Sequence, residues 1–277
     1  MQKILLSLTC AAALFGLTGC DRLKSRDHQN QGVAAFKNAK YQDAVEHFKT
    51  ALQLDPDSPN AQLYLATTYM AQWIPGAESP ENTEFVNHAR EEFGKVLQKS
   101  PDDRTALQSM AYIAYNQATS LPLEEKLKKF DEANDWNKKL IAVDPTAKEA
   151  YYSLAVIAWG KFYPAWNTAR ASLRMRPEDP GPIKDKKIKE DLKAKYEAAV
   201  NDGIQNLQKA IEIDKEYDDA MAYLNLLIRE KADLVDSVDD YKKQIEVADG
   251  WIQKALDTKK AKAARQPTTG GIVNDTK

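Results

Sequence analysis

Amphipathic runs recur along the chain and end at regularly spaced prolines. "ALQLDP", "VLQKSP" and "LIAVDP" end at Pro56, Pro101 and Pro145, which are 45 and 44 residues apart. "AIEIDK" ends at Lys215 and "ALDTKK" ends at Lys260, and both are degraded copies of the same run. Apolar residues at this helical spacing predict amphipathic α-helices. Their ends are 45, 44, 70 and 45 residues apart, and this recurrence predicts a repeated structural unit with one large insertion.

Small residues recur at a fixed position in every unit. One lies twelve positions before the end of each run, and the five are Ala44, Ala89, Ala133, Gly203 and Ala248. The helical segment upstream of each also has its own small residue, namely Gly32, Ala66, Ala111 and Ala155, with Asn225 as the exception. Two closely packed helices need small side chains where they cross, because larger groups push the axes apart. The pattern therefore predicts paired antiparallel helices.

This pattern resembles the tetratricopeptide repeat. The second unit shows the resemblance best, and its landmark residues are Leu65, Ala66, Tyr69, Ala89, Phe93 and Pro101. The resemblance covers about residues 30–260 and implies an all-α fold. We expect a right-handed α-solenoid of about five antiparallel helix pairs, occupying residues 27–264.

Extra residues separate the two helices of most pairs. The distance between the landmarks of the two helices is 13 residues in the first pair, as the family expects, but 24, 23, 49 and 24 in the others. We expect both helices of a pair to be longer by about a turn and a half. Ser79-Pro80 and Pro122 fit as helix starts within these insertions. The largest insert covers about residues 160–196 and contains a Pro/Gly loop from Arg174 to Lys187.

The N-terminus combines one basic residue with an apolar run. Lys3 precedes the uncharged segment Ile4 to Leu17, which is too short to span a bilayer. The following Leu17-Thr18-Gly19-Cys20 sequence resembles the bacterial lipoprotein signal, in which cleavage precedes a lipid-bearing cysteine. An ordinary signal peptide with an incidental cysteine and an uncleaved anchor are the alternatives.

The lipoprotein resemblance divides the chain into functional segments. It implies a signal peptide at residues 1–19, and a lipidated Cys20 with its tether at residues 20–26. Residues 265–277, rich in Gly, Thr and Pro, are expected to be a disordered tail. Cys10 would be lost with the signal peptide, so the mature chain could form no internal disulfide. Asp21 resembles the signal that retains some lipoproteins at the inner membrane.

Composition disfavours one class of partner. With 43% hydrophobic and 29% charged residues, the chain can bury a substantial core. Its 39 basic residues face 41 acidic ones, for a formal net charge of -2. A nucleic-acid-binding domain normally has a surplus of Lys and Arg, so nucleic acid is not an expected partner.

No enzyme motif is visible in the sequence. The glycines form no phosphate-binding loop, and neither H-E-x-x-H nor C-x-x-C occurs. The three histidines, His28, His47 and His88, are expected to fall in different units, which disfavours a metal site. We therefore expect no catalytic residue, cofactor, metal or small-molecule substrate.

The remaining candidate site is the groove that the resemblance implies. The first helix of each pair would line a concave surface, and its inward positions hold Phe36, Met70, Tyr112, Tyr115, Asn116, Tyr152, Trp159, Tyr223 and Arg229. Aromatic rings anchor peptides well because they bury a large area with few rotatable bonds. The alternative is that the rings fill space between helices. The groove lacks the Lys and Asn pairs that clamp a terminal carboxylate, so we expect an internal segment of a partner.

Together these features predict a lipid-anchored periplasmic scaffold that docks other envelope proteins. Outer-membrane protein assembly and pilus biogenesis are both compatible with this prediction. A third hypothesis, an enzyme that processes envelope polysaccharide, would require carboxylates that converge in a pocket.

Overall fold

The chain folds into α-helices. The computed structural model describes residues 2–176 and 178–265, with side chains described from Cys20 onward. The helices are α1 (Gln2–Lys37), α2 (Tyr41–Leu54), α3 (Pro59–Gln72), α4 (Pro80–Lys99), α5 (Arg104–Thr119), α6 (Leu123–Val143), α7 (Lys148–Ser172), α8 (Lys186–Ile213), α9 (Asp218–Ala232) and α10 (Val238–Arg265). These ten helices, with no strand in the described ranges, confirm the all-α prediction.

The helices are grouped in two compact units. The first unit covers residues 1–143 and contains α1 to α6, and the second covers residues 144–277 and contains α7 to α10. Within each unit every helix packs against the next one. First helices also contact each other, α1 with α3 and α7 with α9. This is the predicted stacking of helix pairs, three in the first unit and two in the second.

The predicted small residues are buried where helices cross. Ala44, Ala89, Ala133 and Ala248 are each fully buried. A Cβ atom placed on Gly203 in α8 would lie 3.2 Å from the Cβ of Ala158 in α7. The axes of α7 and α8 therefore approach too closely for a side chain much larger than a methyl group, which is the constraint inferred from the sequence.

Side-chain caps fix several helix starts. The Ser79 hydroxyl accepts a hydrogen bond from Asn82 N at 3.1 Å, and Pro80 is the first residue of α4. Asp103 and Asp185 cap α5 and α8 in the same way, at 2.8 and 2.9 Å. The predicted helix start at Ser79-Pro80 is thus confirmed. The cap stabilises this start because it satisfies an N–H group that has no partner within the helix. Pro122 lies just before α6.

The extra residues of the second and third pairs do not lengthen both helices, so that expectation is wrong. The first helices α3 and α5 have 14 and 16 residues, close to the 14 of α2, whereas the second helices α4 and α6 have 20 and 21. The connection after α3 is held by Asn82, which accepts a hydrogen bond from Ile74 N and donates to the carbonyls of Ile74 and Ala77. This hydrogen-bonded connection ends α3 early, and the remaining extra residues lengthen the second helix.

In the fourth pair both helices are long and the predicted loop separates them. α7 has 25 residues, α8 has 28, and residues 173–185 connect them. Much of the insert expected at about 160–196 is therefore helix, and only its middle is the predicted Pro/Gly loop.

The residues of the expected tether are helical. Residues 20–26 continue α1, and Cys20, Arg22, Leu23 and Lys24 are exposed. The Ser25 hydroxyl is buried and donates to Ala51 O at 2.8 Å, so packing against α2 begins at Ser25. No described helix has the length and apolar character needed to cross a bilayer. The tail at 266–277 lies outside the described residues.

We expect Gly32→Ala to destabilise the first unit. A Cβ atom at Gly32 would lie 2.6 Å from the ring of Phe48, which is 1% exposed and cannot swing away. Overpacking of this kind costs roughly 1 to 3 kcal/mol, more than the gain of up to about 1 kcal/mol in helix propensity. Urea denaturation would measure the change.

Gly94→Ala is the matched control. Gly94 lies inside α4, and an added Cβ atom would meet no other atom within 4 Å. This variant should be more stable than the wild type by about 0.5 to 1 kcal/mol. Equal stability gains in the two variants would contradict a close crossing of α1 and α2 at Gly32.

Candidate functional site

The predicted partner-binding residues are divided between the two units. Phe36 lies on α1, Met70 on α3, and Tyr112, Tyr115 and Asn116 on α5, all in the first unit. The second unit holds the other four, which are Tyr152 and Trp159 on α7 and Tyr223 and Arg229 on α9. All nine are on first helices, as predicted, with five in the first unit and four in the second.

Phe36 borders an apolar pocket in the first unit. The pocket measures about 410 Å³ and is also lined by Val33, Leu63, Tyr64 and Thr67. Tyr64 is 41% exposed, so the pocket has an accessible ring at its edge. Met70 is half-buried and packs against the hydrophobic core of this unit. This end of the unit thus offers an apolar surface for a partner.

The three predicted residues on α5 have different environments. The Tyr112 ring is 50% exposed and makes an edge contact with Trp73, at 6.3 Å between ring centroids. Tyr115 is half-buried and stacks on Phe130 at 5.8 Å. The Asn116 amide donates to Tyr112 O at 2.9 Å. Tyr112 is therefore the best-placed anchor of the three, whereas Tyr115 contributes to packing between α5 and α6.

Aromatic side chains of the second unit form a continuous series, which we call the aromatic row. Neighbouring ring centroids are 4.8 to 5.8 Å apart. The members, in order of contact, are Tyr217, Tyr152, Tyr223, Trp159, Tyr163 and Trp166. All except the buried Trp166 are half-buried and pack against the core of this unit. Packing between helices thus applies to these rings, and groove lining stays a prediction for their accessible surface.

A buried carboxylate lies beside the aromatic row. Glu230 on α9 is 6% exposed, and its Oε1 accepts a hydrogen bond from Trp159 Nε1 at 3.0 Å. Its Oε2 is buried and accepts no hydrogen bond from any described residue. Burial, with a smaller contribution from the nearby charge of Asp233, raises the pKa of Glu230 to about 7. This carboxyl group therefore changes charge near neutral pH.

A second buried acid is held by an arginine. Arg170 on α7 and Asp233 after α9 are each 1% exposed, and the Arg170 guanidinium donates to Asp233 Oδ2. Trp166 Nε1 donates to the same oxygen at 2.8 Å. A Cβ atom at Gly181 would lie 1.8 Å from Asp233 Oδ1, so only glycine fits over this carboxylate. Asp233 is thus enclosed by these three residues, and its Oδ1 accepts no hydrogen bond from any described residue.

Arg170 also holds the insert loop. Its Nη2 and Nε donate to Arg176 O at 2.6 and 3.2 Å, and Nη2 donates to Asp179 O as well. Ile183 N donates to Asp233 O at 3.0 Å on the other side of the loop. Removing one partner of a buried ion pair typically costs 3 to 5 kcal/mol. Arg170, near the end of α7, therefore stabilises the position of the insert loop.

A pocket of about 450 Å³ lies next to these groups in the second unit. The residues that matter for its chemistry are Tyr163, Asp179, Arg229, Glu230, Asp233 and Tyr241. The predicted site residue Arg229 is bound to the Asp249 carboxylate and, at 3.3 Å, to Asn225 Oδ1. Its charge is thus directed away from Glu230.

Sequence reasoning missed Arg170, Glu230 and Asp233 as site residues. One signal was available for Glu230, which falls three residues after Leu227 and seven after Tyr223, on the same face of α9. A carboxylate on the apolar face of a helix is unusual and indicates a buried acidic group that requires a partner. No spacing connects Arg170 with Asp233, since they are 63 residues apart.

The described residues contain no group of three or more His, Cys, Asp or Glu side chains that could hold a metal ion. The second unit therefore offers aromatic rings, a pocket and two buried carboxylates, those of Glu230 and Asp233, each with one oxygen that accepts no hydrogen bond from the described residues. These groups can bind a ligand by stacking and by charge.

Residues 35–72 match the tetratricopeptide repeat family. They comprise the end of α1 together with α2 and α3, which is one helix pair with the start of its neighbour. No curated protein sequence matches the chain.

Solved structures of MamA have a similar fold. One crystal structure of MamA is 16% identical, with a TM-score of 0.50, and covers 90% of this chain and 98% of that chain. MamA from Desulfovibrio magneticus RS-1, from residue 41 to the end, is 16% identical with a TM-score of 0.50, covering 86% and 96%. A double mutant of MamA from RS-1 is 15% identical with a TM-score of 0.52, covering 87% and 97%. At these identities the likeness shows the fold alone, and together with the family match it supports the tetratricopeptide resemblance.

We expect Glu230→Gln to stabilise the protein in a pH-dependent way. The pKa of Glu230 is raised from 4.5 to about 7 in the folded state, so its contribution to stability is lost as the pH rises through this range. Glutamine does not ionise. The variant should therefore match the wild type near pH 5 and exceed it by about 2 to 3 kcal/mol at pH 8.

Urea denaturation at a series of pH values would measure this difference. Glu246→Gln on α10 is the control, because Glu246 is exposed. A difference between Glu230→Gln and the wild type that does not vary with pH would contradict the raised pKa.

Proposed function

We propose that this chain is a lipid-anchored periplasmic docking protein that binds segments of other envelope proteins through its first helices. The supporting observation is that aromatic rings with accessible surface lie on first helices of both units, at Tyr112 and along the aromatic row. Rings in such positions provide large contact areas at a low cost in conformational entropy. The tetratricopeptide-like fold supports the same role, since stacked helix pairs create extended binding surfaces.

The membrane anchor is part of the proposal and rests on Cys20. This cysteine is exposed, and it follows the apolar segment and the small residues Thr18 and Gly19. Ser25, the first buried residue of α1 with described side chains, lies five positions further along the helix. At 1.5 Å per residue this separation is only about 7.5 Å. A lipid on Cys20 would therefore hold the first unit close to the membrane surface.

The position of Asp21 next to Cys20 favours the inner membrane in this proposal. Outer-membrane protein assembly and pilus biogenesis both require docking of envelope proteins, and neither is favoured by a particular residue. A polysaccharide-processing enzyme is a weaker hypothesis. Of the carboxylates that line the pocket beside the aromatic row, Asp233 is paired with Arg170, and Glu178 and Asp179 are paired with Arg176. Glycosidic cleavage uses a pair of carboxyl groups that act together on the scissile bond, and no such unpaired partner of Glu230 is found among the described residues that line this pocket.

Cys20→Ser should abolish membrane attachment. The wild-type protein, expressed in bacterial cells, should partition into the detergent phase and incorporate labelled palmitate, whereas the variant should do neither because serine is not the lipid acceptor. Detergent phase separation followed by immunoblotting would measure the partition. Wild-type protein found in the aqueous phase would contradict the anchor without affecting the docking surface.

Tyr112→Ala should weaken partner binding with little effect on folding. A photo-crosslinking amino acid at Asn116, one turn from Tyr112, would report on contact with a partner in intact cells. We expect Tyr112→Ala to reduce the crosslinked product by tenfold or more, since anchor residues contribute about 2 kcal/mol each. The ring is half exposed, so the melting temperature should change little.

Leu123→Ala is the matched control. Leu123 is 61% exposed and lies on a second helix, where the proposal places no binding surface. It should leave the crosslinked product unchanged. Equal yields from the Tyr112→Ala and Leu123→Ala proteins would show that the α5 surface is not the docking site.

A further inference from the structure

We propose that the pocket beside Glu230 is a cation-binding subsite that takes a lysine or arginine side chain of the docked segment. This inference rests on the proposed function and adds the chemistry of the partner. It is carried by a buried carboxylate whose own fold leaves it incompletely satisfied, at the end of a row of aromatic rings.

The first argument is the state of the Glu230 carboxylate. Oε1 accepts one hydrogen bond, from Trp159 Nε1, and the buried Oε2 accepts none from the described residues. An ionised carboxylate in this state is unfavourable, because it has lost water without gaining a cation or a full set of donors. A lysine or arginine side chain that entered the pocket would supply both the positive charge and the hydrogen-bond donors.

The second argument is the charge of the surrounding groups. The pocket is bordered by four carboxylates, those of Glu178, Asp179, Glu230 and Asp233, and by the two guanidinium groups of Arg170 and Arg229. Arg170 is paired with Asp233, and Arg229 is bound to Asp249 on α10. Glu178 and Asp179 share the single exposed cation of Arg176. Among the described residues, each of the other carboxylates of the pocket is thus paired with a basic side chain. The Glu230 carboxylate has no such partner.

The third argument is the aromatic surface. The Arg170 guanidinium lies 5.1 Å from the centre of the Trp166 ring, so this region already binds one cation against an aromatic face. Tyr163 contacts both Trp159 and Trp166 and lines the pocket, with Tyr241 of α10 as a further lining ring. A cation over these rings would gain a cation–π interaction in addition to its pairing with Glu230.

The shape of the surface favours a side chain over a free small cation. The aromatic row continues from Trp159 through Tyr223 to Tyr152, away from the pocket. A peptide could place its cation beside Glu230 and lay neighbouring residues along these rings. A free polyamine would make only the first of these contacts.

Protons compete with the cation for Glu230, which predicts the pH dependence of binding. Trp159 of α7 donates a hydrogen bond to Glu230. The titratable and charged groups that line the pocket with Glu230 are Tyr163 and Arg170 from α7, Glu178 and Asp179 from the loop, Arg229 and Asp233 from α9 and its end, and Tyr241 from α10. With a pKa of about 7, Glu230 is protonated in most molecules at pH 5 and ionised in most at pH 8. Cation binding should therefore be stronger at the higher pH.

The test is an NMR titration of the full chain with a blocked Gly-Ser-Arg-Ser-Gly peptide, observed at the indole N–H signal of Trp159. The same peptide with norleucine in place of arginine is the uncharged probe, and spermidine is the free cation. We expect the arginine peptide to bind at least tenfold more tightly at pH 8 than at pH 5. It should also bind more tightly than norleucine peptide or spermidine at pH 8.

Glu230→Gln should weaken binding of the arginine peptide at pH 8 by tenfold or more and remove the pH dependence, while Glu246→Gln should change neither. Circular dichroism would confirm that both variants are folded. Wild-type affinity in Glu230→Gln, or equal affinity for the arginine and norleucine peptides, would overturn the subsite. Spermidine binding at least as tight as the peptide would overturn a side chain as its occupant. None of these outcomes affects the Tyr112 crosslinking test, so the two proposals fail independently.

Discussion

Close helix crossing is the constraint on which the rest of this structure depends. The chain contains no internal disulfide or metal cluster within the described residues, so stability comes from packing of helix against helix. Gly32 lies against the Phe48 ring, and Gly203 lies against Ala158 and Leu227, with almost no space for larger groups. These contacts set the distance between helix axes and so determine which other residues face each neighbour. The first helices, and the aromatic rings on them, are positioned as a consequence.

The second unit adds polar interactions to this packing. Arg170 joins the end of α7 to the insert loop through carbonyl oxygens and to the residue after α9 through Asp233. Burying an ion pair is rarely favourable in itself, but the donors of Arg170 are used by a carboxylate and two carbonyls at once. The loop is thereby held to the packed helices at Arg176, Asp179 and Ile183. The wall of the pocket therefore depends on one buried arginine.

Glu230 shows how a candidate site departs from the rules that govern the core. Leu227 and Tyr223, which precede it on the same face of α9, are apolar or aromatic, and the helix would be more stable with a neutral residue at this position near neutral pH. A local conflict of this kind within an otherwise consistent sequence is typical of functional positions. The Trp159 indole satisfies one carboxylate oxygen and leaves the other directed to no protein donor, which is the state expected of a group that pairs with a ligand.

The sequence by itself determined the helix pairs, because small residues and amphipathic runs at a fixed interval reflect contacts that are local or between neighbouring helices. It also identified the Ser79 cap, the Pro/Gly loop and the first-helix positions of all nine candidate residues. Only the tertiary structure decided how the extra residues of the second pair divide between α3, α4 and their connection. Hydrogen bonds from Asn82 hold this connection after the end of α3, and no sequence pattern specifies its path. Only the tertiary structure brought Arg170 to Asp233 and left Glu230 incompletely paired. Those contacts join residues 63 or more positions apart, and their geometry depends on how α7, the loop and α9 pack together rather than on any spacing along the chain.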